Sequence, residues 1–350
     1  GHINRAFIHR VLSLVDGKPI TIGEAHRLAQ NDLVSGNGPT SGSDVTVNHL
    51  HYSLLGDPAL ALNLPMHQIV VDSINGIPVA GAATLPMLKA GSIARMAGHI
   101  EGADDFRGVI TATVRDSKET VTCRLNDTGK DGAEKAFEYK DRTKTLYQGT
   151  DSVRGGKFTF SFAVPLDINY SNQSGLVNLY AVNTAKTLSA HGSSEQFTVG
   201  ESEEQKNDSI GPSIYCYLNS PSFVDGGNVN TTPFFVAKII DKDGINAAGS
   251  GIGHDLQLVI DGDMSKAYVL NSNFIYDFGT YTSGSTYYSI PQLEPGKHEL
   301  TFRAWDIQNN SSTVKLRFNV VKALSPALFD VGVTANPAKT STTFIISHDR

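Results

Sequence analysis

The chain has 350 residues, of which 40% are apolar and 18% are charged, and its net charge is -6. Domains usually hold about 100–200 residues, so this length predicts two or three of them. The mildly acidic balance argues against nucleic acid, because phosphates require a basic surface. No stretch approaches the ~20 apolar residues of a membrane-spanning helix, and the first residues lack the pattern of a signal peptide.

The first 65 residues follow an α/β pattern. Apolar residues at helical spacing from 3 to 15 predict a helix that ends at the Asp-Gly pair 16–17. Thr21, followed three residues later by Glu24, predicts a capping box at the start of a second helix. A glycine-rich loop and a short strand at 49–55 follow. So short a segment could hardly bury enough surface to fold alone, so we interpret it as the end of a truncated domain.

From Met66 the apolar period becomes two, which is the period of a β-strand. The clearest case is Lys157–Phe162, in which three phenylalanines alternate with Lys, Thr and Ser. Residues 126–154 are polar and charged and predict a long hairpin or excursion. The remaining strands predicted for a first β-sandwich are 68–74, 93–100, 108–115, 120–125, 176–183 and 195–199.

A second series of strands follows a charged run without apolar residues, 200–208, which has the composition of a linker. Turn sequences at 241–244 and 261–262 separate some of its strands. The strands predicted for this second sandwich are 214–218, 234–240, 256–260, 267–270, 286–290, 299–305 and 315–321.

The predicted fold class is therefore mainly β, with two tandem Ig-like β-sandwich domains behind the α/β end of a truncated domain. The predicted divisions are 1–65 for the remnant, 66–200 for the first sandwich, 201–208 for the linker, 209–322 for the second sandwich and 323–350 for the start of a truncated third β-domain.

The two cysteines, Cys123 and Cys216, form neither a disulfide framework nor a zinc pattern. Each lies inside a predicted strand. Glycine-rich elbows and helix N-termini are the places that lower the pKa of a thiol, and neither cysteine lies in one. We therefore expect two buried thiols in separate domains and no catalytic nucleophile.

Two arrangements of residues suggest a metal. His49 and His51 would point to the same face of a strand, but a third ligand is not identifiable. Loops with carboxylates at 241–244, 261–263 and 306–310 could hold calcium if they met at one end of the sandwich. The default interpretation of each loop is an ordinary turn. The metal site is thus left open, and calcium is the cofactor to test.

The most unusual run is 249–255, in which glycines occupy alternate positions. It precedes a strand and lacks Gly-Lys-Ser/Thr, so it is not a phosphate loop. We predict a bend in which Asp255 bonds to the backbone, with a ligand site as the alternative. Sugar-binding modules often expose aromatic rings, but period-two spacing assigns the phenylalanines of 158–162 to the core.

Several runs of the sequence resemble gingipain-type cysteine peptidases. The run Leu-Leu-Gly-Asp-Pro-Ala-Leu at 54–60 resembles the segment that closes their caspase-like catalytic domain, and 16–25 fits the same region. Further runs follow in the order found in the type IX secretion sortases of Bacteroidetes, and residues from 336 onward resemble the start of the terminal sandwich of that system. These further runs are 156–165, 243–246, 251–255 and 304–310.

The resemblance implies an extracytoplasmic protein at the outer membrane or cell surface. Its parent would be a cysteine endopeptidase that processes secreted cargo and anchors it at the surface. The implied partners are its own upstream catalytic domain, cargo proteins and outer-membrane secretion components. No position here matches the family's catalytic Cys and His, so no catalytic residue is assigned. The competing interpretation is an extracellular binding module, an adhesin or carbohydrate-binding protein unrelated to peptidases.

Overall fold

The computed structural model describes residues 2–35, 52–124, 135–204, 208–249, 253–322, 328–334 and 343–348. The chain divides into two compact units, Gly1–Met66 and His67–Arg350. The regular secondary structure described in the second unit is almost entirely β-strand, which confirms the mainly β fold class.

The first unit begins with helix α1 (His2–Val11) and a hairpin of β1 (Leu14–Val15) and β2 (Lys18–Pro19). The helix therefore ends four residues earlier than the apolar spacing predicts. Asp16 and Gly17 have φ angles of 52° and 72°, and such a pair at positive φ makes a tight two-residue turn. Leu14 and Val15 therefore belong to the hairpin, although their spacing from the other apolar residues fits a helix.

Helix α2 (Ile22–Val34) begins where the capping pattern predicts. The backbone N–H of Glu24 donates to Thr21 Oγ1 at 3.2 Å. The carboxylate of Glu24 binds the guanidinium of Arg27 instead of reaching back to the cap. Thr21 is therefore the N-cap, but only half of the reciprocal box is formed.

The start of α2 lies against the Leu-Gly-Asp-Pro run. The backbone N–H of Gly23 donates to Pro58 O at 2.9 Å, and that of Ile22 to Leu60 O at 2.7 Å. A Cβ at Gly23 would lie 2.7 Å from Pro58 Cβ, so the close approach requires glycine. This run satisfies N–H groups that a helix start leaves unpaired. Residues 52–55 are not a strand, and 49–51 lie outside the described residues.

The first part of the second unit, 67–202, is called the barrel region. Seven of its described strands close into a barrel in the order β14-β13-β7-β10-β11-β6-β3, because β14 pairs in parallel with β3 at Ala190 and His67. The predicted sandwich is wrong in this respect, since closure removes two open edges of the sheet. Short strands β12, β15 and β5 form a separate sheet. The bounds are β3 His67–Ile74, β4 Ile77–Pro78, β5 Met87–Ala90, β6 Ile93–Ile100, β7 Gly108–Arg115, β8 Glu119–Thr122, β9 Glu138–Asp141, β10 Thr145–Arg154, β11 Lys157–Ala163, β12 Gln173–Ser174, β13 Leu176–Asn183, β14 Ser189–Ser194 and β15 Thr198–Ser202.

The three phenylalanines of β11 fill the barrel, as their alternation predicts. Phe158, Phe160 and Phe162 are 4%, 3% and 0% exposed. The ring of Tyr147 on β10 stacks on those of Phe160 and Phe162, with centroids 6.1 and 5.1 Å away. Offset stacking adds to the free energy gained by burying these rings.

The segment 126–154, predicted to be a long hairpin or excursion, contains β9, which forms an antiparallel hairpin with β8, and also the barrel strand β10. Strand β10 supplies half of the described residues of that segment, 135–154. The predicted linker stays a prediction, but ordered contacts are present at both of its ends. Strand β15 runs into the predicted linker as far as Ser202, and Glu201 pairs with Lys89 at 2.8 Å. At the linker's other end the side chain of Asp208 is only 8% exposed and accepts from Lys242 Nζ at 3.0 Å. Both ends are therefore fixed.

The second part of the unit, 213–320, is called the two-sheet region. One sheet has the order β16-β18-β22-β21 and the other β17-β24-β23-β19-β20. Phe235 and Phe302, each fully buried, meet between them with ring centroids 5.2 Å apart. Two facing sheets fit the predicted sandwich, and its Ig-like topology stays a prediction. The bounds are β16 Ser213–Leu218, β17 Asn228–Val229, β18 Phe234–Ile240, β19 Gln257–Ile260, β20 Tyr268–Val269, β21 Ile275–Tyr276, β22 Ser283–Ser289, β23 Gly296–Trp305 and β24 Ser311–Val320, with 3-10 turns at Met264–Lys266 and Asn271–Asn273.

The described tail is an antiparallel hairpin of β25 (Leu328–Thr334) and β26 (Thr343–His348). Its assignment to a third β-domain stays a prediction. In the described part of the chain, neither helix combines the length and the apolar character that crossing a membrane demands.

Candidate functional site

Four polar side chains connect the barrel region to the two-sheet region, and we call them the joint. Asp167 follows β11 of the barrel. Asn246 follows β18, His254 precedes β19, and Asn309 lies in the turn between β23 and β24. The joint thus brings together segments that are as much as 142 residues apart along the chain.

Asp167 is the acceptor at the centre of the joint. His254 Nδ1 lies 2.7 Å from Asp167 Oδ2, and Asn246 Nδ2 donates to the same oxygen at 3.0 Å. Asn309 Nδ2 donates to Oδ1 at 3.5 Å. The side chain of Asp167 is 14% exposed and Asn246 is 1% exposed. Partly buried bonds to a carboxylate are stronger than bonds between neutral groups, so this acceptor fixes the contact.

Trp305 supports the joint from the two-sheet side. The imidazole of His254 packs on its ring with centroids 4.5 Å apart. Its backbone carbonyl accepts from the N–H of Asn246 at 2.9 Å. The guanidinium of Arg303 lies 5.9 Å from the same ring, within cation–π range. These contacts hold His254 and Asn246 in position next to Asp167.

Gly244 brings the two regions into direct contact. Its φ is 122°, and a Cβ there would lie 2.6 Å from the Cβ of Ala163 in the barrel. Both the backbone angle and the lack of space therefore require glycine. The N–H of Gly244 donates to Asp241 Oδ1 at 3.1 Å, which shapes the turn that presents it.

A second contact lies beside the joint. The rings of Tyr147 on β10 and Tyr276 on β21 are 5.1 Å apart, and Tyr276 Oη donates to Ile245 O at 2.7 Å. The N–H of Gly279 donates to Thr150 O in the barrel at 2.9 Å. Burial raises the pKa of Tyr147 to about 12 and that of Tyr276 as well. Both phenols therefore stay neutral, and the buried core is continuous across the two regions.

The three loops considered for calcium do not all converge. The loops at 241–244 and 306–310 lie side by side, with the N–H of Ile307 donating to Gly244 O at 3.1 Å, but the loop at 261–263 lies elsewhere. Asp306 follows the end of β23, whereas Asp261 lies beside the start of β23, where Ile260 pairs with Leu300. About six residues of strand, roughly 20 Å, separate them. Asp241 and Asp306 instead accept bonds from backbone N–H groups of their own turns.

Burial raises the pKa of the carboxyl groups of both Asp241 and Asp306. Among the residues that the structure describes, no three His, Cys, Asp or Glu side chains are grouped so as to hold a metal ion. The other metal candidates, His49 and His51, lie outside the described residues.

The two cysteines differ in their surroundings. Cys216 on β16 is 7% exposed, and burial raises its pKa to about 12. Cys123, which follows β8, is exposed, so the expectation of a buried thiol is wrong for it. Among the described residues, no histidine is hydrogen-bonded to either sulfur.

Alkylation is expected to distinguish the two thiols. Iodoacetamide at neutral pH should label Cys123 in the folded protein and leave Cys216 unlabelled, because only a solvent-accessible thiolate reacts. Mass spectrometry of the peptides gives the site of labelling, and both thiols should react in guanidinium chloride. Labelling of Cys216 at the rate of Cys123 without denaturant would contradict the burial.

The contact between Asp261 and His298 predicts that the stability of the fold depends on pH. His298 Nδ1 lies 2.7 Å from Asp261 Oδ2, and Nε2 lies 2.8 Å from Glu294 O. Burial lowers the pKa of His298, but these two bonds outweigh it and raise the pKa above 6.5. A raised histidine pKa stabilises the fold fully below pH 6.5, and the contribution is lost as pH rises through the folded pKa.

The free energy of unfolding should therefore fall as pH rises above 6.5, and Asp261→Asn should make that fall smaller. Urea unfolding at a series of pH values measures it. Asp263→Asn is the control, because the pKa of Asp263 is lowered and its effect appears only at acid pH. Equal slopes in all three proteins would refute the role of Asp261.

Four of the runs that carry the family resemblance meet at the joint. The run 156–165 supplies β11 and Ala163, 243–246 supplies Gly244 and Asn246, and the described end of 251–255 supplies His254. The run 304–310 supplies Trp305 and Asn309. Asp167 itself is missed by sequence reasoning, because an aspartate in a loop after a proline gives no sign of its distant partners.

The fold and the joint define a protein of tandem β regions that side-chain contacts fix to each other. No family model and no curated protein matches the chain. Among solved structures it is similar to dimeric latent PorU from Porphyromonas gingivalis, with 32% identity over 97% of this chain and 32% of PorU, at a TM-score of 0.48. It also matches red sea bream transglutaminase, with 9% identity over 75% of this chain and 32% of that chain, at a TM-score of 0.22.

The chain spans about a third of the length of PorU. Both TM-scores are below 0.5, so neither superposition establishes a shared arrangement. The similarity to PorU lies in the amino-acid sequence.

Proposed function

We propose that this chain is the non-catalytic C-terminal part of a gingipain-type cysteine peptidase of type IX secretion. In this proposal the barrel and two-sheet regions form one stiff support that braces the catalytic domain and positions cargo. The observation that carries the proposal is the convergence of four family-like runs at the joint around Asp167.

Each of these runs has a structural reason at the joint. Gly244 allows the backbone to approach Ala163, and Asn246 and His254 donate to Asp167. Trp305 packs on His254. If these runs were shared for catalysis, they would bring a thiol, a general base and an oxyanion donor together. The shared runs here build a rigid connection, which fits a supporting role.

The sequence similarity to PorU is in keeping with the same protein class. In the proposal the parent protein lies outside the cytoplasm at the outer membrane or cell surface, where it cleaves and anchors secreted cargo. Its nucleophile and base lie upstream of the Leu-Gly-Asp-Pro run at 54–60. The burial and high pKa of the Cys216 thiol support the absence of a nucleophile in the two-sheet region.

Two measurements test the proposal. The reading frame upstream of Ile3 should encode a Cys/His caspase-like domain, and a signal peptide directly before Ile3 would contradict the proposal. The chain by itself should not hydrolyse casein or arginyl and lysyl peptide substrates. Hydrolysis that iodoacetamide abolishes would show that the segment is catalytic.

The supporting role is tested in the parent protein. Asp167→Ala should reduce cargo cleavage and surface attachment in cells, because it loosens the joint. Asp105→Ala is the matched control, since Asp105 is an exposed aspartate of the same barrel. Normal cargo processing by a stably expressed Asp167→Ala variant would refute the bracing role.

A further inference from the structure

A cleft of 510 Å³ lies between the start of β10 and the segment that carries β20 and β21. Its described lining contains no Asp, Glu, Lys, Arg or His side chain. It offers instead hydroxyl and amide groups, such as those of Thr145 and Gln148, and the aromatic rings of Tyr147 and Tyr287. A lining of this kind favours an uncharged ligand that has many hydroxyl groups and apolar ring faces.

An amide in the cleft lacks a partner. Asn271 Oδ1 accepts from the N–H of Leu256 at 3.0 Å, which fixes the orientation of the side chain. Its Nδ2 is buried and has no hydrogen-bond partner among the described residues. A buried donor without an acceptor costs free energy, so a native site of this kind calls for an explanation. Nδ2 has almost no accessible surface and lies against Gly249, so it does not itself contact a ligand in the cleft.

Strand β10 contains a bulge where it borders the cleft. Its pairing with β7 shifts register between Thr145 and Tyr147, which inserts an extra residue. Bulges of this kind redirect side chains and are common beside functional sites. Here Leu146 and Tyr147, which are consecutive, are both buried, so Tyr147 can stack on Tyr276 at the floor of the cleft.

An aromatic surface continues from the cleft. Tyr287 is 43% exposed, and its ring lies 6.0 Å from that of Phe234 on the outer face of the sheet. Tyr217 stands in the same cross-strand row, two strands from Tyr287, with Val236 between them. Two strand spacings are about 9.6 Å, close to the length of a disaccharide unit. Rings at this spacing suit the apolar faces of successive sugars.

We propose that the cleft and the adjoining ring of Tyr287 bind a neutral oligosaccharide. An anionic glycan has no basic side chain to meet in the described lining. Addition of a peptide strand is disfavoured, because Tyr147 packs on Tyr276 at the free edge of β21 and Gly279 is already bonded to Thr150. The proposal is independent of the peptidase assignment, since it needs only these residues and the contact between the two regions.

Isothermal titration of the whole chain with maltohexaose, cellohexaose, xylohexaose and mannohexaose tests the proposal. At least one of them should bind at millimolar concentration. Tyr287→Ala should weaken that binding by about tenfold, because one ring contact is lost.

Tyr180→Ala is the matched control, because Tyr180 is equally 43% exposed but lies on β13 of the barrel. It should leave the affinity unchanged, and thermal unfolding should show that both variants fold. Binding of none of the four sugars would overturn the proposal. So would equal losses in Tyr287→Ala and Tyr180→Ala, or tighter binding of polygalacturonate than of every neutral hexasaccharide.

Discussion

Replacing Phe162 with alanine is expected to lower the free energy of unfolding by about 3–5 kcal/mol. The side chain is 0% exposed, and its ring stacks between those of Phe160 and Tyr147 inside the barrel. Removing it loses the free energy of burying the ring and leaves a cavity that a closed barrel cannot collapse to fill. Tyr147 also loses a stacking partner, which weakens its packing against Tyr276 in the two-sheet region.

Urea unfolding followed by circular dichroism measures this effect. Phe137→Ala is the matched control, because the same ring is removed from a residue that is 70% exposed. Its free energy of unfolding should change by less than about 1 kcal/mol. A loss at Phe162 no greater than that at Phe137 would show that the ring does not carry the barrel core.

Replacing Asp167 with alanine is expected to cost about 1–3 kcal/mol, because it leaves buried donors without their acceptor. Asn246 is affected most, since it is 1% exposed and donates to Asp167 Oδ2. His254 loses the partner of Nδ1. The two regions should consequently unfold less cooperatively than in the unaltered protein.

Trp305 is the only tryptophan in the sequence, so its fluorescence reports on the two-sheet region beside the joint. In the unaltered protein the fluorescence transition should coincide with that seen by circular dichroism, and in Asp167→Ala the two should separate. A double-mutant cycle with His254→Ala gives the coupling energy, which we expect to be about 0.5–3 kcal/mol. Coincident transitions and zero coupling would refute the joint, with Asp105→Ala as the control.

Local periodicity predicted the regular strands well. The bounds of 93–100, 108–115, 176–183 and 234–240 agree with β6, β7, β13 and β18 residue for residue. These strands have one buried face, so their side chains alternate without interruption. The sequence pattern does not reveal strand β10, because a bulge and Gly149 interrupt its alternation of side chains. Only the pairing with β7 shows that the interrupted segment is a strand.

The barrel and the joint could not be predicted from local patterns. Closure depends on a parallel pairing between β14 and β3, whose paired residues Ala190 and His67 lie far apart in sequence. For 249–255 the sequence predicted a bend with Asp255 as the bonding residue. The structure shows that His254 makes the bond, to an aspartate of the other region. The resemblance to a family marked the right runs but gave no sign of what they contact.

The joint also determines how the molecule carries force. Consider tension applied between His67, where the barrel region begins, and Val320, where the two-sheet region ends. Side-chain contacts then bear load in addition to the covalent chain. The bonds of Asp167, the packing of Gly244 on Ala163 and the bond from Gly279 to Thr150 bear that load in parallel. Parallel contacts of this kind resist bending, and a substitution at Asp167 removes one of them and transfers its share of the load to the others.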